Sequence, residues 1–426
     1  MIAGVVLVTA GCSTGGGSTS GGDPDETGDK TVITYATNGD DALVAAEEKI
    51  IAAFEDANPD ITVQLQPTSF ADYDTKIGTE LRGGGGADIY RVNHPNAQLW
   101  AGAGYLADLT PVIADNGIDT SVFIPGMLEI GRMDGSLYTL PVDTGNRALY
   151  YNLTLFEAVG LAEPPATWDE LKAAVEKFKD HDAYGYCYAT NSDYAMAYET
   201  AGPYIATAGG AILSSDSPSQ AIASTEDGTI AALTLLQDIV KTGEIPPGEA
   251  AMDGQTMASL FAGDQCAMMI GGAWVRPQLL EIDPDLVFGE DYSVAVVPTP
   301  KAGQDSATTG GGWMIGLNAK SKNLDAAAKF LAFYMQPDNL KMQAVTQNNY
   351  APTLDGMDME PYTSDPFYDA FREMLPNTVL PIVPVAQMAE VSAEFEVAGR
   401  ASVTDGKDVV EQLKAFDDKV NEQVLQ

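Results

Sequence analysis

The chain has 426 residues and a formal net charge of −39, since 61 Asp and Glu residues oppose 22 Lys and Arg residues. Proteins that bind nucleic acids or anionic membrane surfaces depend on Lys and Arg, so this balance argues against both kinds of partner. The 45% hydrophobic content and the length predict two to three globular domains, whereas two His and three Cys exclude most metal clusters and disulfide frameworks.

The first thirty residues have the features of an export and anchoring segment. Ile2–Val8 is an uncharged apolar run, too short to span a bilayer, and typical of the end of a secretory signal. The run leads into Thr9-Ala10-Gly11-Cys12, which resembles a bacterial lipobox, where small residues precede a lipidated cysteine. The Gly/Ser-rich residues 13–30 then predict a flexible tether. The alternative is an ordinary N-terminal extension with an incidental cysteine.

After the tether, strand-like and helix-like periodicities alternate. β-Branched or alternating runs predict strands at Thr31–Tyr35, Ile61–Gln66 and Ala87–Val92. Apolar residues at helical spacing predict helices between them, from Leu43 to Phe54 and near Tyr73–Leu81. Gly83–Gly86 lacks the context of a phosphate-binding loop and is interpreted as a turn. The alternation predicts an α/β architecture.

The clearest helix lies within Pro164–Asp180, where Thr167 and Glu170 form the pattern of a capping box. Further helices are expected at Thr229–Lys241, Leu324–Met335 and Asp408–Leu425. Buried strands are expected at Cys266–Ile270, Ser293–Val297 and Trp313–Leu317. No stretch has the length and hydropathy of a transmembrane segment.

Four segments, in this order and spacing, resemble a known family. They are Ala87–Leu109, Gly135–Gly160 (GSLYTLPVDTGNRALYYNLTLFEAVG, followed by TWDEL), Leu260–Leu279 (with CAMMIGGAW) and Gly310–Leu331 (GGGWMIGLNAKSK). Together they are similar to the family 1 extracellular solute-binding proteins, the carbohydrate receptors of ABC importers.

The resemblance implies a two-lobe, type II periplasmic-binding-protein-like fold. Each lobe would be an α/β sheet sandwich, and crossover segments would form a hinge. We expect residues 31–142 and 300–352 in the first lobe, and 143–299 and 353–426 in the second. The ligand would lie in the cleft, which agrees with the preference of ligand sites for strand carboxyl ends and domain interfaces.

Sugars are bound by aromatic rings that stack on their apolar faces and by polar side chains that contact hydroxyls. The segments that border the expected cleft supply the candidate ligand-binding residues Asn38, Asp40, Asn93, His94, Asp143, Asn146, Arg147, Tyr198, Glu199, Trp274, Trp313 and Tyr350. For the aromatic residues the alternative is core packing. For Asn38 and Asp40 the alternative is a helix cap, and for Asp143 and Arg147 it is a hinge salt bridge without ligand contact.

Two further alternatives concern neighbouring side chains. The adjacent Tyr150 and Tyr151 resemble the iron ligands of a related class of binding proteins, but in a strand their side chains point to opposite faces. Cys187 and Cys266 could form a disulfide in an exported protein, or remain buried thiols.

The function predicted from these features is that of a monomeric lipoprotein, exported and anchored through Cys12 to the outer face of the cytoplasmic membrane. It would capture a carbohydrate, deliver it to an ABC permease, use no cofactor and catalyse no reaction. One alternative is the same fold with a polyamine, phosphoester or peptide ligand. Another is a secreted glycoside hydrolase, which would need two opposed carboxylates.

Overall fold

The computed structural model describes residues 30–39, 41–189, 195–216, 219–247, 252–380 and 382–426. Cys12, residues 13–29 of the predicted tether and Asp40 therefore lie outside the described residues. The strands are β1 (Thr31–Asn38), β2 (Ile61–Thr68), β3 (Ile89–Asn93), β4 (Arg132–Met133), β5 (Ser136–Leu137), β6 (Thr139–Pro141), β7 (Gly145–Asn152), β8 (Met268–Gly272), β9 (Tyr292–Ala295), β10 (Thr308–Gly311), β11 (Trp313–Leu317) and β12 (Thr378–Val379).

The helices connect these strands and cover their faces. They are α1 (Asp41–Ala57), α2 (Phe70–Arg82), α3 (His94–Gly102), α4 (Thr110–Asn116), α5 (Pro125–Ile130), α6 (Leu153–Ala158), α7 (Trp168–Glu176), α8 (Gly202–Thr207), α9 (Asp227–Thr242), α10 (Gly254–Ala262), α11 (Val275–Ile282), α12 (Leu324–Tyr334), α13 (Pro337–Thr346), α14 (Asp369–Met374), α15 (Met388–Val403) and α16 (Val409–Lys419). In the part of the chain that the structure describes, none of these helices is long and apolar enough to cross a bilayer.

The first lobe is built on a five-stranded sheet in the order β2-β1-β3-β11-β6. β1 is parallel to β2 and β3, whereas β11 is antiparallel to β3 and β6. One face of the sheet packs against α1, α12 and α13, and the other against α2, α3 and α5. Because β11 is antiparallel to β3, its first residue lies at the carboxyl ends of β1 and β3.

The second lobe contains the sheet β12-β10-β7-β8, with β9 also paired to β7. One large core packs this sheet against helices α7–α11 and α14–α16. The two-lobe α/β fold expected from the sequence is therefore present. α15 also contacts α3 of the first lobe, so the lobes touch on that side.

The chain passes between the sheets at three places. Residues 142–144 join β6 to β7, Gly312 alone joins β10 to β11, and Tyr350 exchanges backbone hydrogen bonds with Thr144 after α13. A Cβ atom at Gly312 would lie only 2.2 Å from the carbonyl oxygen of Asp143. The close approach of the first two crossovers therefore requires glycine at this position.

Two contacts bear on the expected lobe boundaries. β10 pairs with β7 and β12 of the second sheet, although residues 300–352 were expected in the first lobe. Thr353 bridges Phe123 of the first lobe, although 353 was the expected start of a second-lobe segment. The division of the remaining residues between the lobes stays a prediction.

The local elements follow the sequence patterns closely. β11 has the predicted bounds, and the Thr167–Glu170 capping box is present at the start of α7. β1 extends past the predicted end at Tyr35, because residues up to Asn38 pair with β2. β8 is shifted toward its glycines, since Gly271 and Gly272 continue the pairing with β7.

Cys187 and Cys266 form a disulfide, which was one of the two alternatives for these residues. Both residues are fully buried, with Cα atoms 6.2 Å apart. Cys187 also bridges Met269 in β8. The bond therefore fixes the segment around Cys187 against the strand that leads to the hinge side of the second lobe.

Candidate functional site

The carboxyl edge of the first sheet brings together side chains from three strands. Asn38 ends β1, Asn93 ends β3, and Trp313 at the start of β11 lies directly opposite Asn93. Asn93 donates a hydrogen bond through Nδ2 to Asp74 Oδ2 at 3.1 Å. The half-buried Trp313 ring contacts Phe70 edge-to-face, with centroids 6.1 Å apart. This edge thus combines an indole with amide and carboxyl groups.

A buried charge network lies beneath Trp313. The Arg91 guanidinium is fully buried, 5.2 Å from the Trp313 ring, and its Nη2 donates to Asp143 Oδ2 at 2.7 Å. Its Nη1 lies 3.5 Å from Oε1 of the buried Glu47. Burial lowers the pKa of Arg91, but the carboxylates, Asp143 foremost, raise it above its ordinary value. Arg91 therefore remains a cation inside the first lobe.

The Asp143 side chain links the first crossover to the second through a hydrogen bond. Its Oδ1 accepts the backbone N–H of Trp313 at 2.8 Å, and its Oδ2 also accepts from Gln343 of α13 at 3.3 Å. Asp143 is fully buried, so it lies in the hinge structure, as in the salt-bridge alternative. Its partner is Arg91, and not Arg147 as in that alternative.

Arg147 lies in the second lobe and pairs with a different acid. Its Nε and Nη2 donate to the two carboxylate oxygens of Glu199 at 3.2 and 2.5 Å. Its guanidinium lies 4.9 Å from the centroid of Trp274, within the range of a cation–π contact. The remaining nitrogen, Nη1, is buried without a hydrogen-bond partner among the described residues.

The Trp274 ring occupies space that is free because two neighbouring residues are glycines. A Cβ atom at Gly272 would lie 2.0 Å from Cζ3 of the indole, and one at Gly145 would lie 3.1 Å from the same atom. The ring therefore lies against the ends of β7 and β8, where any side chain would displace it. It remains half-buried at the hinge end of the second sheet.

His94 is wedged between the lobes. As the first residue of α3 it belongs to the first lobe, and its ring centroid lies 4.9 Å from that of Tyr198 in the second. Burial, followed by the charge of Arg147, lowers the pKa of His94 to about 3, against a weaker opposing effect of the Gly312 backbone. The imidazole is therefore neutral at physiological pH, and its buried Nε2 has no hydrogen-bond partner in the described structure.

The other predicted residues occupy different surroundings. Tyr350 and Asn146 are fully buried together, with the Tyr350 hydroxyl 3.5 Å from Asn146 Oδ1. Asn146 also donates to the carbonyl oxygen of Phe371 at 2.9 Å, which places this pair in the second-lobe core. Tyr150 is likewise buried and donates to the Gly272 carbonyl oxygen at 2.7 Å, while Tyr151 is only partly buried. Asp40 lies outside the described residues.

Several buried polar atoms along the gap lack a hydrogen-bond partner within the described ranges. They are Asn38 Oδ1, Asp74 Oδ1, His94 Nε2, Arg147 Nη1 and Asn349 Oδ1. Buried polar atoms are nearly always satisfied in folded proteins, so these atoms require water or a ligand. Four of the five accept hydrogen bonds, and a ligand rich in hydroxyl groups would supply the donors.

Sequence reasoning missed three side chains at this site: Phe70, Asp74 and Asn349. Phe70 lies two residues beyond β2, the third parallel strand that ends at this edge. Asn349 precedes the predicted Tyr350, and its Oδ1 lies close to Gly145 and thus to Trp274. Both could have been found from their position next to an expected cleft element, whereas Asp74 lies inside a helix that gave no such signal.

Comparison with known proteins assigns the family. Residues 37–341 match the family described as bacterial extracellular solute-binding protein. The multiple sugar-binding protein of Streptococcus mutans is 26% identical over 315 residues, which cover 72% of this chain and 71% of that protein.

Solved structures have the same architecture. An ABC transporter solute-binding protein of Thermotoga lettingae, bound with alpha-D-tagatose, superposes with a TM-score of 0.80 at 24% identity, over 93% of this chain and all of the other. An ABC substrate-binding protein of Listeria monocytogenes, in complex with cycloalternan, gives a TM-score of 0.77 at 27% identity, over 92% of this chain and 99% of the other.

Removing Asp143 should strongly destabilise the protein. Asp143→Ala leaves Arg91 buried with only the more distant Glu47, and loss of one partner of a buried pair costs about 3–5 kcal/mol. Urea unfolding followed by tryptophan fluorescence measures the difference. The control is Asp169→Ala, which removes an exposed partner of Lys172 and should cost less than about 1 kcal/mol. Equal effects of the two variants would contradict the role of Asp143.

The depressed pKa of His94 should make stability depend on pH. An unfolded imidazole has a pKa of about 6.5, so protons bind the unfolded chain first and the free energy of unfolding falls as the pH is lowered. Between pH 7.5 and 5 this fall should be about 2 kcal/mol larger with His94 present than in His94→Asn. Both proteins carry His181→Asn, so that one imidazole accounts for the difference. Identical pH profiles by urea unfolding would show that His94 is not buried as a neutral group.

Proposed function

Because the chain belongs to the bacterial extracellular solute-binding protein family, we propose that it binds a sugar or oligosaccharide between its lobes and delivers it to the permease of an ABC transporter. The observation that carries the proposal is the pair of half-buried indoles, Trp274 and Trp313, on opposite lobes beside unpaired buried polar atoms. Aromatic faces with a few placed polar groups suit the alternating apolar faces and hydroxyl edges of a sugar ring. The sugars in the names of the relatives support this ligand class.

Each polar group has a defined role in this proposal. Glu199 and Trp274 hold the guanidinium of Arg147, so its free Nη1 can donate to a sugar hydroxyl without a large loss of side-chain entropy. The neutral Nε2 of His94 accepts from another hydroxyl. Asn38 and Asn93 contact the ligand from the first lobe, and Asp40 remains a predicted contact at the same edge.

The binding step involves no covalent chemistry. Both oxygens of Glu199 are engaged by Arg147, so this carboxylate lacks the freedom of a glycosidase nucleophile. The same pairing neutralises Glu199 as a partner for a polyamine ligand. We therefore favour a neutral, hydroxyl-rich solute, captured by the lobes as they rotate about the three crossovers and presented to the permease by a monomeric receptor.

A thermal-shift screen tests the ligand class. Purified protein is heated with mono- and oligosaccharides, polyamines, phosphoesters and short peptides, and a bound ligand raises the apparent melting temperature with the logarithm of its concentration. Stabilisation by a carbohydrate is expected. Stabilisation by only one of the other classes would reject the sugar proposal, and catalytic release of sugar from an oligosaccharide would reject the receptor role.

Trp274→Ala should lower the affinity for the best carbohydrate of that screen at least about tenfold, because truncation removes a large aromatic contact. Isothermal titration calorimetry gives the dissociation constant. Trp274→Phe is the matched control, since it retains an aromatic face and should lose less. Unchanged affinity in Trp274→Ala would remove this residue from the site.

We further propose that Cys12 carries a lipid that anchors the exported protein, with residues 13–30 as a tether of about 20–25 Å. The proposal depends on the lipobox-like sequence, since Cys12 and residues 13–29 lie outside those described. Cys12→Ser, expressed in a bacterium that processes lipoproteins, should move the protein from the membrane fraction to the soluble extracytoplasmic fraction. Ser13→Ala is the control and should remain with the membrane. Membrane retention of Cys12→Ser would reject the anchor.

A further inference from the structure

Phe70 is unusually exposed for an aromatic residue in this protein. Within the described ranges every Trp, every Tyr and every other Phe is at least partly buried, whereas Phe70 keeps 59% of its surface exposed. Its position is nevertheless well defined, because it is the first residue of α2 and the preceding Ser69 caps that helix by accepting the N–H of Asp72. An ordered, exposed ring at the edge of a proposed binding cleft is placed to stack on a ligand.

Four residues near Phe70 are linked by two side-chain contacts, one strand pairing and one helical spacing. The Phe70 ring meets Trp313 at 6.1 Å, and Trp313 lies opposite Asn93 in the sheet. Asn93 donates to Asp74 at 3.1 Å, and Asp74 lies one helical turn after Phe70 in α2. We call Phe70, Asp74, Asn93 and Trp313 the first-lobe corner. It combines two aromatic rings set nearly at right angles, with an interplanar angle of 77°, and an acid whose buried Oδ1 has no partner in the described structure.

The first-lobe corner differs from the surroundings of Trp274. Trp274, Arg147 and Glu199 form one aromatic and polar group on the second lobe, whereas the corner lies entirely on the first lobe and needs no second-lobe residue to be complete. One pyranose ring has two faces and can stack on the indoles of the two lobes. Such a ligand would not stack on the additional, exposed ring of Phe70.

We propose that the Phe70 side of the first-lobe corner holds a second sugar unit, next to the unit between the indoles, with Phe70 as the stacking residue and Asp74 as the hydroxyl acceptor. Trp313 and Asn93 then border both units. The inference rests on the proposed function, and it narrows the ligand from any sugar to an oligosaccharide of at least two units. Phe70 is then a residue that determines ligand length. It contributes to binding when the ligand has a second unit and contributes nothing when that unit is absent.

Calorimetric titrations of a matched ligand series test the inference. The best oligosaccharide of the thermal-shift screen and its component monosaccharide are titrated into wild-type protein, Phe70→Ala, Phe70→Tyr and Leu354→Ala. Leu354 is the control, since it is an exposed apolar residue, 67% accessible, whose backbone pairs with Val122, which is not a residue of the corner. Thermal unfolding of each ligand-free variant shows whether truncation changes the fold.

The wild type should prefer the oligosaccharide. Phe70→Ala should weaken oligosaccharide binding about 3- to 10-fold, the range of one aromatic contact, and change monosaccharide binding less than about twofold. Phe70→Tyr should restore the affinity, and Leu354→Ala should leave both ligands unaffected.

The other outcomes overturn the inference in distinguishable ways. Equal loss for both ligands would place Phe70 at the first sugar, and no loss for either would leave it outside the site; in both cases the proposed function survives. Binding of monosaccharides alone would also refute the second position while leaving a sugar receptor. Failure of the wild type to bind any carbohydrate would reject the proposed function itself.

Discussion

The geometry of the molecule depends on one buried ion pair, between Arg91 in β3 and Asp143 in the first crossover. Two charges withdrawn from water are tolerated only when their remaining donors and acceptors are satisfied. Asp143 achieves this by accepting from Arg91, Gln343 and the backbone of Trp313. The same three contacts fasten the first crossover to a strand, to α13 and to the second crossover. The ion pair thereby sets where the second lobe leaves the first, and it fixes the backbone of an indole that borders the cleft.

Two glycines make room for the close approaches that this geometry requires. Gly312 lets the two crossovers approach, and Gly272 lets Trp274 lie against the second sheet. The indoles of the two lobes therefore flank the hinge rather than the tips of the lobes. A ligand between them would be held where relative motion of the lobes is smallest, and small rotations would enclose it without dragging it across either surface.

Much of the fold could be predicted because its information is local. The period of two in Trp313–Leu317 and the capping box of Thr167 are patterns within a few residues, and both elements form as expected. The pairing of β10 could not be predicted in this way, because strand pairing is not local. Nothing near Thr308–Gly311 indicates that this strand pairs with β7, some 160 residues earlier, rather than with the first sheet.

In the candidate site, too, local features could be predicted from the sequence and long-range partners could not. Strand alternation places Arg147 and Tyr151 on one face of β7 and Asn146 and Tyr150 on the other, so the core position of Asn146 could have been inferred from the spacing. The partner of Asp143 could not, since Arg91 is 52 residues away and Arg147 is much nearer in sequence. Phe70 was overlooked because β2 was expected to end at Gln66 and α2 to begin near Tyr73, which left the residue in an unassigned connection.

The order of strands in the first sheet has a consequence for how the protein is made. β11 lies between β3 and β6, yet it follows β6 in sequence by more than 170 residues, with most of the second lobe in between. Until the chain has been synthesised through Leu317, β3 and β6 have no strand between them and present open hydrogen-bonding edges. Formation of the first lobe therefore waits for most of the second to emerge, which favours slow folding and prolonged exposure of aggregation-prone edges. A chain whose first sheet stays incomplete until residue 317 of 426 has emerged is well matched to a route that carries it across a membrane before it folds.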